Sequence, residues 1–108
     1  MKLPTEIFGN VVVVHTPEEL GDDQSTQLAT FLTTLDRVNV ILDLDGTESI
    51  DSAGLTTLLE AQESLRQVAG DLRISTSNKV NRKILEITRL DQHLEVYDSV
   101  IDAVKSYV

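Results

Sequence analysis

Two histidines, several serines and clustered carboxylates are the residues of this sequence that could carry chemistry. His15 and His93 lie far apart and form no His-Glu-x-x-His pattern, so the sequence predicts no metal site. No serine lies in the Gly-x-Ser-x-Gly pattern of a hydrolase nucleophile, which disfavours a Ser-His-Asp triad. Dinucleotide-binding and P-loop glycine motifs are also absent. We expect both histidines to be surface or rim residues, and we expect no enzymatic activity and no cofactor.

Carboxylates concentrate in two stretches. The first contains Glu18, Glu19, Asp22 and Asp23, and the second contains Asp43, Asp45, Glu48 and Asp51. A general acid–base pair needs two carboxylates in different environments, which spacing alone does not reveal. We expect Asp22 and Asp23 to supply a helix N-cap. Asp43 and Asp45 are expected to be solvated at a strand end, with magnesium-dependent enzyme chemistry there as the alternative.

The segment 51–55, Asp-Ser-Ala-Gly-Leu, is the most informative motif of the chain. It follows a buried type of strand and opens a helix, where Asp51 or Ser52 would cap free backbone N–H groups. Gly54 in the first helical turn costs roughly 1 kcal/mol relative to Ala. That cost suggests a close approach by another molecule to a surface without side chains. A serine hydroxyl at an exposed helix start is also accessible to a kinase.

Basic residues concentrate in residues 79–89, which contain Lys79, Arg82, Lys83 and Arg89 against the single acid Glu86. Such a basic segment on an acidic chain predicts either a docking face for an acidic partner or a solvated helix face that complements the helix dipole. The pattern alone leaves both interpretations open.

The elements that must position these residues alternate between strands and helices. Strands are predicted over Thr5–Phe8, Val11–His15, 38–44, 72–76 and 94–97, the first two forming a hairpin around Gly9-Asn10. Helices are predicted over residues 23–36, from the segment 51–55 to a C-cap near Gly70, from Ser77 to Thr88, and after Ser99 with Val108 on its apolar side. This order predicts an α/β fold with a mixed, mostly parallel sheet, an edge hairpin and about four helices.

The length and the composition indicate the number of domains and exclude several classes of protein. A chain of 108 residues fits one domain, and the absence of cysteine excludes disulfides, Cys-ligated zinc, iron–sulfur clusters and thiol catalysis. The net charge of −9 repels phosphate backbones, so no nucleic acid is expected as a partner. The longest apolar run has only four residues, from Val11 to Val14, so we expect neither a signal peptide nor insertion into a membrane. A cytoplasmic location is the default expectation.

The segment 51–55, together with the strand residues 40–44 before it and Ile50, resembles the signature of the STAS domain family. That family includes bacterial anti-sigma factor antagonists and the C-terminal domains of sulfate transporters. Residues 77–86 resemble the stretch leading into the family's third helix. Residues 90–91, 96–99 and Ala103 resemble its closing strand and helix. The resemblance covers most of the chain and implies one STAS domain over residues 1–108, acting as a free-standing antagonist.

The resemblance also implies a mechanism. In the antagonists, the serine directly after the motif aspartate is phosphorylated by an anti-sigma factor that is also a serine kinase, and this position is Ser52 here. The unphosphorylated form binds the anti-sigma factor, phosphorylation breaks the complex, and a serine phosphatase resets it. The implied partner-binding residues are Asp51, Ser52, Ala53, Gly54, Asp22, Asp23, Lys79, Arg82 and Lys83.

Two departures from the family pattern affect these expectations. Many relatives have a second Ser or Thr where this chain has Ala53, which leaves Ser52 as the phosphorylatable residue within the motif. Relatives tend to have Gly-Glu-Leu-Asp before the first helix, whereas here residues 18–21 read Glu-Glu-Leu-Gly and Asp22 and Asp23 follow. The alternative function is a STAS scaffold or regulatory subunit, in a stressosome-like or a membrane transport assembly, without a phosphorylation switch.

Overall fold

A five-stranded mixed sheet forms the centre of the molecule, which a computed structural model describes for residues 2–107. The strands are β1 (Thr5–Phe8), β2 (Val11–His15), β3 (Glu19–Leu20), β4 (Asn39–Asp43), β5 (Ser49–Ile50), β6 (Asp71–Ser75) and β7 (Val96–Tyr97). The helices are α1 (Asp22–Thr33), α2 (Ser52–Arg66), α3 (Lys79–Ile87) and α4 (Val100–Lys105), with a 3-10 helix over Leu90–Gln92. Val108, predicted on the apolar side of the last helix, lies outside the described residues.

The main sheet has the strand order β1-β2-β4-β6-β7. Only the β1–β2 hairpin is antiparallel, while β2, β4, β6 and β7 run parallel to their neighbours. The predicted α/β fold with a mostly parallel sheet, an edge hairpin and four helices is therefore confirmed. The carboxyl ends of parallel strands meet at one edge of the sheet. The helices that follow these strands therefore begin at that edge.

Alternating side chains of the strands build a separate core on each face of the sheet. Val12 and Val14 point into the larger core, which also contains Leu28 of α1, Leu58 of α2 and Leu85 of α3. The opposite face holds a smaller core, to which residues of β2, β4 and α4 contribute: Val11, Val13, Ile41 and Ala103. The near-continuous apolar run of β4 is buried because helices cover both of its faces.

The sequence does not predict three short elements: β3, β5 and the 3-10 helix. β3 and β5 form a separate two-stranded parallel sheet, in which Glu19 pairs with Ser49 and Leu20 with Ile50. The 3-10 helix follows Arg89, whose φ of 62° lies in the left-handed region. Strands of two residues are shorter than the run of about four to eight residues over which alternation can be recognised, so no pattern in the sequence reveals them.

Two predicted helix caps were wrong. The N-cap of α1 is Gly21, so Asp22 and Asp23 are the first residues of the helix rather than its cap. The backbone N–H of Gly21 instead donates to the side chain of Gln24 at 3.2 Å. The C-cap of α2 is Gln67 rather than Gly70, and Ala69 shortly after it adopts the left-handed conformation, with a φ of 65°. Gly70 is required for another reason, because a Cβ there would overlap the backbone of Val38.

None of the helices within residues 2–107 is both long and apolar enough to cross a membrane.

Candidate functional site

The amino end of α2 presents Ser52 on a rigidly capped turn. Asp51 is the N-cap, and its carboxylate accepts a hydrogen bond from the backbone N–H of Gly54 at 3.0 Å. Ser52 is the first residue of the helix and is exposed, while Ala53 beside it is half-buried. The Thr56 hydroxyl donates to the Ser52 carbonyl at 2.9 Å, so that hydroxyl is turned back onto the helix. The geometry leaves the Ser52 side chain at the surface on a fixed backbone.

The short β3–β5 sheet brings the amino ends of α1 and α2 together. The backbone N–H of Asp51 donates to the carbonyl of Leu20 at 3.3 Å. A Cβ built on Gly21 would lie 2.9 Å from a carboxylate oxygen of Asp51, so Asp51 lies directly beside the cap of α1. Asp22 and Asp23 follow that cap and are exposed. Asp51, Asp22 and Asp23 thus lie on adjacent helix ends, although 28 positions or more separate Asp51 from Asp22 and Asp23 in the chain.

Gly54 has a different role from the one predicted. Gly54 is buried, and a Cβ at this position would overlap the carbonyl oxygen of Leu20 and would lie 3.1 Å from the Cγ2 of Ile50. The close approach that the glycine permits is therefore to β3 of the same chain, rather than to another molecule. Gly54 supports the site because it allows α2 to begin against the β3–β5 sheet.

A buried asparagine that the sequence analysis missed anchors the loop before α2. The side-chain amide of Asn81 in α3 donates to the carbonyls of Leu44 and Thr47, each at 3.0 Å, and Asn81 is 1% exposed. The Thr47 hydroxyl donates in turn to the Pro17 carbonyl at 2.6 Å. These bonds tie α3 to the β4–β5 connection and to the chain entering β3. The only sequence signal was a polar residue at an inward position of an otherwise amphipathic helix.

Two exposed carboxylates meet at the start of the β3–β5 sheet. The Glu18 carbonyl accepts hydrogen bonds from the backbone N–H groups of Glu48 and Ser49, at 2.7 and 3.3 Å. This pairing places the side chains of Glu18 and Glu48 together. The hydrogen bond that protonated Glu18 donates to the carboxylate of Glu48, and the negative charge of Glu48, raise the pKa of Glu18. Two neighbouring carboxylates thus lie at the start of the β3–β5 sheet.

The predicted basic face on α3 has a mixed character. Lys79 and Lys83 are exposed, and the Lys83 ammonium lies 4.0 Å from Glu86. Arg82 is bound to Asp98 at 2.7 Å. Val80 and Ile87 are 64% and 70% exposed on the same helix. Because residues three and seven positions apart share a helix face, Val80, Lys83 and Ile87 form one exposed stripe.

Both ring nitrogens of His15 contact carboxylates, which is more than we expect of an ordinary rim residue. Its Nδ1 lies 2.8 Å from Asp43 and its Nε2 lies 2.7 Å from Glu6. Burial lowers the pKa of His15, but the hydrogen bonds and charges of Glu6 and Asp43 outweigh it and raise the pKa above 6.5. His93, in contrast, is exposed.

The row His15, Asp43 and Ser75 lies in register across three neighbouring strands. Its geometry differs from a catalytic triad, because both nitrogens of His15 contact carboxylates. Ser75 is buried, and its hydroxyl lacks a hydrogen-bond partner within residues 2–107.

The carboxylate of Asp45 accepts a 2.6 Å hydrogen bond from the backbone N–H of Ser77. In the part of the chain that the structure describes, no group of three or more His, Cys, Asp or Glu residues is arranged to hold a metal ion.

The sheet order, with three helices on one face and the capped Asp-Ser turn at the start of α2, defines a class of small α/β domain. The model of the STAS domain family matches residues 2–103, and the chain belongs to this family.

A curated relative from Thermotoga neapolitana, named as an anti-sigma factor antagonist and a homologue of TM1081, is 30% identical over 66 residues. That match covers 61% of this chain and 58% of the relative, so the aligned part spans little more than half of that protein.

Solved structures share the fold over nearly the whole chain. TM1081 of Thermotoga maritima, also named as an anti-sigma factor antagonist, superposes with a TM-score of 0.84 at 23% identity, covering 96% of this chain and 92% of that one. An anti-sigma factor antagonist of Mycobacterium paratuberculosis gives 0.85 at 21% identity, covering 97% and 92%. Phosphorylated SpoIIAA of Bacillus gives 0.72 at 18% identity, covering 99% and 100%.

Proposed function

We propose that this chain is an anti-sigma factor antagonist whose unphosphorylated form binds an anti-sigma factor with serine kinase activity, and that phosphorylation of Ser52 releases the partner. The observation that carries the proposal is the exposed Ser52 at the first position of α2, directly after its cap Asp51, in a STAS domain. The names of the relatives and the phosphorylated form of SpoIIAA support it. A serine phosphatase resets the switch.

The chemistry belongs to the partner, and this chain supplies only the acceptor. The Ser52 Oγ forms a bond to the γ-phosphorus of a nucleoside triphosphate held by the kinase. The bond from that phosphorus to the nucleoside diphosphate breaks, and the hydroxyl proton passes to a base of the kinase. In this proposal the chain is a regulator rather than an enzyme, and it acts in the cytoplasm.

The fold tolerates the added phosphate. Phosphorylation adds about −1.5 to −2 charges and three acceptor oxygens at Ser52. The first backbone N–H groups of α2 have no partner within the helix, and the helix dipole is positive at this end, so an anion there is stabilised locally. Asp51 already satisfies the N–H of Gly54. We therefore expect phosphorylated Ser52 to leave the folded structure intact.

The interface does not tolerate the same charge. Asp51 lies beside the cap of α1, and Asp22 and Asp23 are the next two residues. A partner covering this surface would remove water from the phosphate and from these carboxylates, and like charges without water repel strongly. A loss of about 3–4 kcal/mol weakens binding by roughly 10²- to 10³-fold. Repulsion within the covered interface, rather than unfolding, separates the complex.

The stripe on α3 extends the proposed docking surface. Asn81 ties α3 to the loop that leads into β5 and Ser52, so the two surfaces are held in a fixed relation. The stripe combines apolar Val80 and Ile87 with the ammonium of Lys83. On a chain of net charge −9, this local positive charge favours an acidic partner surface. Lys79 adds a second exposed cation, whereas Arg82 is partly neutralised by Asp98.

The test is a pull-down from native lysate with four baits: wild type, Ser52→Ala, Ser52→Asp and Ser64→Asp. Ser64 is an exposed residue of the same helix, about 18 Å along its axis from Ser52 at 1.5 Å per residue, so Ser64→Asp is a matched charge control. We expect wild type, Ser52→Ala and Ser64→Asp to capture a serine-kinase anti-sigma factor, and Ser52→Asp to lose it. The captured kinase with ATP should then phosphorylate wild type at Ser52, identified by mass spectrometry.

Equal capture of one partner by all four baits would overturn the switch. If that partner is a scaffold protein or a component of a membrane transporter, the alternative function as a STAS subunit takes its place. Loss of capture by both Ser52→Asp and Ser64→Asp would also contradict the proposal, because the effect would then follow total charge rather than position.

A further inference from the structure

An open groove of about 410 Å³ separates α1 from α2. This volume lies within the range of about 300–1,000 Å³ that is typical of small-molecule sites. Apolar side chains of both helices, and of the segments that follow them, line the groove: Leu32, Leu35, Val38, Ala61, Leu65 and Val68. The groove is separate from the residues assigned above to the phosphorylation switch.

The polar residues of the two helices add little polarity to the groove. The Thr33 hydroxyl donates to the Thr30 carbonyl at 2.6 Å, and the Thr57 hydroxyl donates to the Ala53 carbonyl at 3.0 Å. Both hydroxyls are thus occupied by their own helix. Val68 remains 59% exposed in the wall of the groove. The groove therefore offers apolar surface that water now contacts, and covering it with an apolar chain is favourable.

Arg37 provides a cationic group in the wall of this groove. Its Nε donates to the Gly9 carbonyl at 3.1 Å, and its Nη1 donates to Asp36 at 2.9 Å. These bonds use two of the five N–H groups of the guanidinium, and the bond to the Gly9 carbonyl holds it in place. The remaining fork geometry suits a carboxylate, which it can bind through two parallel hydrogen bonds.

Two carboxylates lie near the groove and could affect which ligand charge it prefers. Asp36 is 86% exposed, so its ion pair with Arg37 is weak and a ligand can displace it. Glu60 also lines the groove, but it is exposed to solvent and therefore screened. Arg37, at 30% exposure, is the better-shielded charge and determines the preferred head group.

We propose that this groove binds an amphiphile with one apolar chain and a carboxylate head. The chain lies between α1 and α2 against Leu32, Ala61 and Leu65, and the head contacts the guanidinium of Arg37. Such a ligand matches the two features that the groove combines: a mostly apolar wall and a fixed cation beside it. The site does not depend on phosphorylation of Ser52.

The experiment titrates octanoate into the isotopically labelled protein and follows the backbone amides by NMR, with octan-1-ol and octylamine as matched probes. We expect saturable binding of octanoate at concentrations up to about 1 mM, with shifts centred on the lining residues. Octan-1-ol should bind roughly tenfold more weakly, because it lacks the charge-assisted hydrogen bonds to Arg37, and octylamine more weakly still.

Three variants test the two contacts separately. Arg37→Gln should abolish the preference for octanoate over octan-1-ol. Val68→Asp should weaken binding of octanoate and octan-1-ol, whereas Val80→Asp, at a similarly exposed valine on α3, should weaken neither. Absence of saturable octanoate binding, an unchanged head-group preference in Arg37→Gln, or equal weakening by Val68→Asp and Val80→Asp would each overturn the proposal. Because Val68 and Val80 are both exposed, neither substitution disturbs the core.

Discussion

The backbone carbonyl of Leu20 lies directly against the Cα of Gly54, with no room for a Cβ between them. This contact joins β3 to the first turn of α2, and the hydrogen bond from the Asp51 N–H to the same carbonyl reinforces it. The amino ends of α1 and α2 thereby become one surface. The position of Ser52 relative to Asp22 and Asp23 depends on this packing.

Replacing Gly54 with Ala should therefore destabilise the fold. The added methyl group overlaps backbone rather than a flexible side chain, so β3 or α2 must shift. We expect a loss of about 1–3 kcal/mol in the free energy of unfolding, measured by urea denaturation. Gly46→Ala is the control, because the nearest atom to a Cβ there is 3.9 Å away. Equal stability of the two variants would contradict the packing described.

Two substitutions separate the capping hydrogen bond of Asp51 from the effect of its negative charge. Asp51→Ala removes the acceptor for the Gly54 N–H and should cost about 1 kcal/mol in unfolding free energy. Asp51→Asn keeps an oxygen acceptor and should retain most of that stability. Urea denaturation of both variants at low and moderate salt measures the difference. If Asp51→Asn is as unstable as Asp51→Ala, the carboxylate stabilises α2 through the helix dipole and not through the cap.

The architecture was predictable because each larger element has a hydrophobic period of its own. Val12 and Val14 alternate with Val11 and Val13, and the structure places the two pairs in opposite cores. The caps were less predictable. Gly21 rather than Asp22 or Asp23 is the N-cap of α1, because β3 runs into the helix and fixes the backbone there. Such tertiary constraints on a helix start leave no mark in local composition.

The candidate site also combines features that the sequence predicts with features that it does not. Ser52 and its cap were evident from the motif, since a cap and the residue after it are local features. The reason for Gly54 was not, because the atom that excludes a Cβ belongs to Leu20, 34 positions earlier. The role of Asn81 was hidden for the same reason, as the carbonyls it satisfies lie 34 and 37 positions away.

Asn81 should be essential for the order of the loop before α2. Asn81→Ala leaves the buried carbonyls of Leu44 and Thr47 without this donor and should cost about 1–3 kcal/mol. Asn81→Asp keeps the shape but replaces the donor with an acceptor, so it should cost at least as much. Chemical denaturation measures both effects. Full stability of Asn81→Asp would show that shape, rather than hydrogen bonding, holds α3 to this loop.

His15 should make the stability of the fold depend on pH. Its ring can donate to both Glu6 and Asp43 only when it is protonated, and these partners raise its pKa above the ordinary 6.5 although burial opposes them. The contribution is therefore complete below the unfolded pKa and is lost as the pH rises through the folded pKa. His15→Gln should cost about 1 kcal/mol near pH 6 and much less near pH 9, where the imidazole has lost its proton.

Urea denaturation of wild type, His15→Gln and His93→Gln at both pH values measures this effect. His93 is the matched control, because it is exposed and its side chain forms no ion pair within residues 2–107. A cost for His15→Gln that is the same at both pH values would assign it to packing instead of charge. An NMR titration of the His15 ring gives an independent check, since its midpoint should lie above 6.5 and should fall in Glu6→Gln.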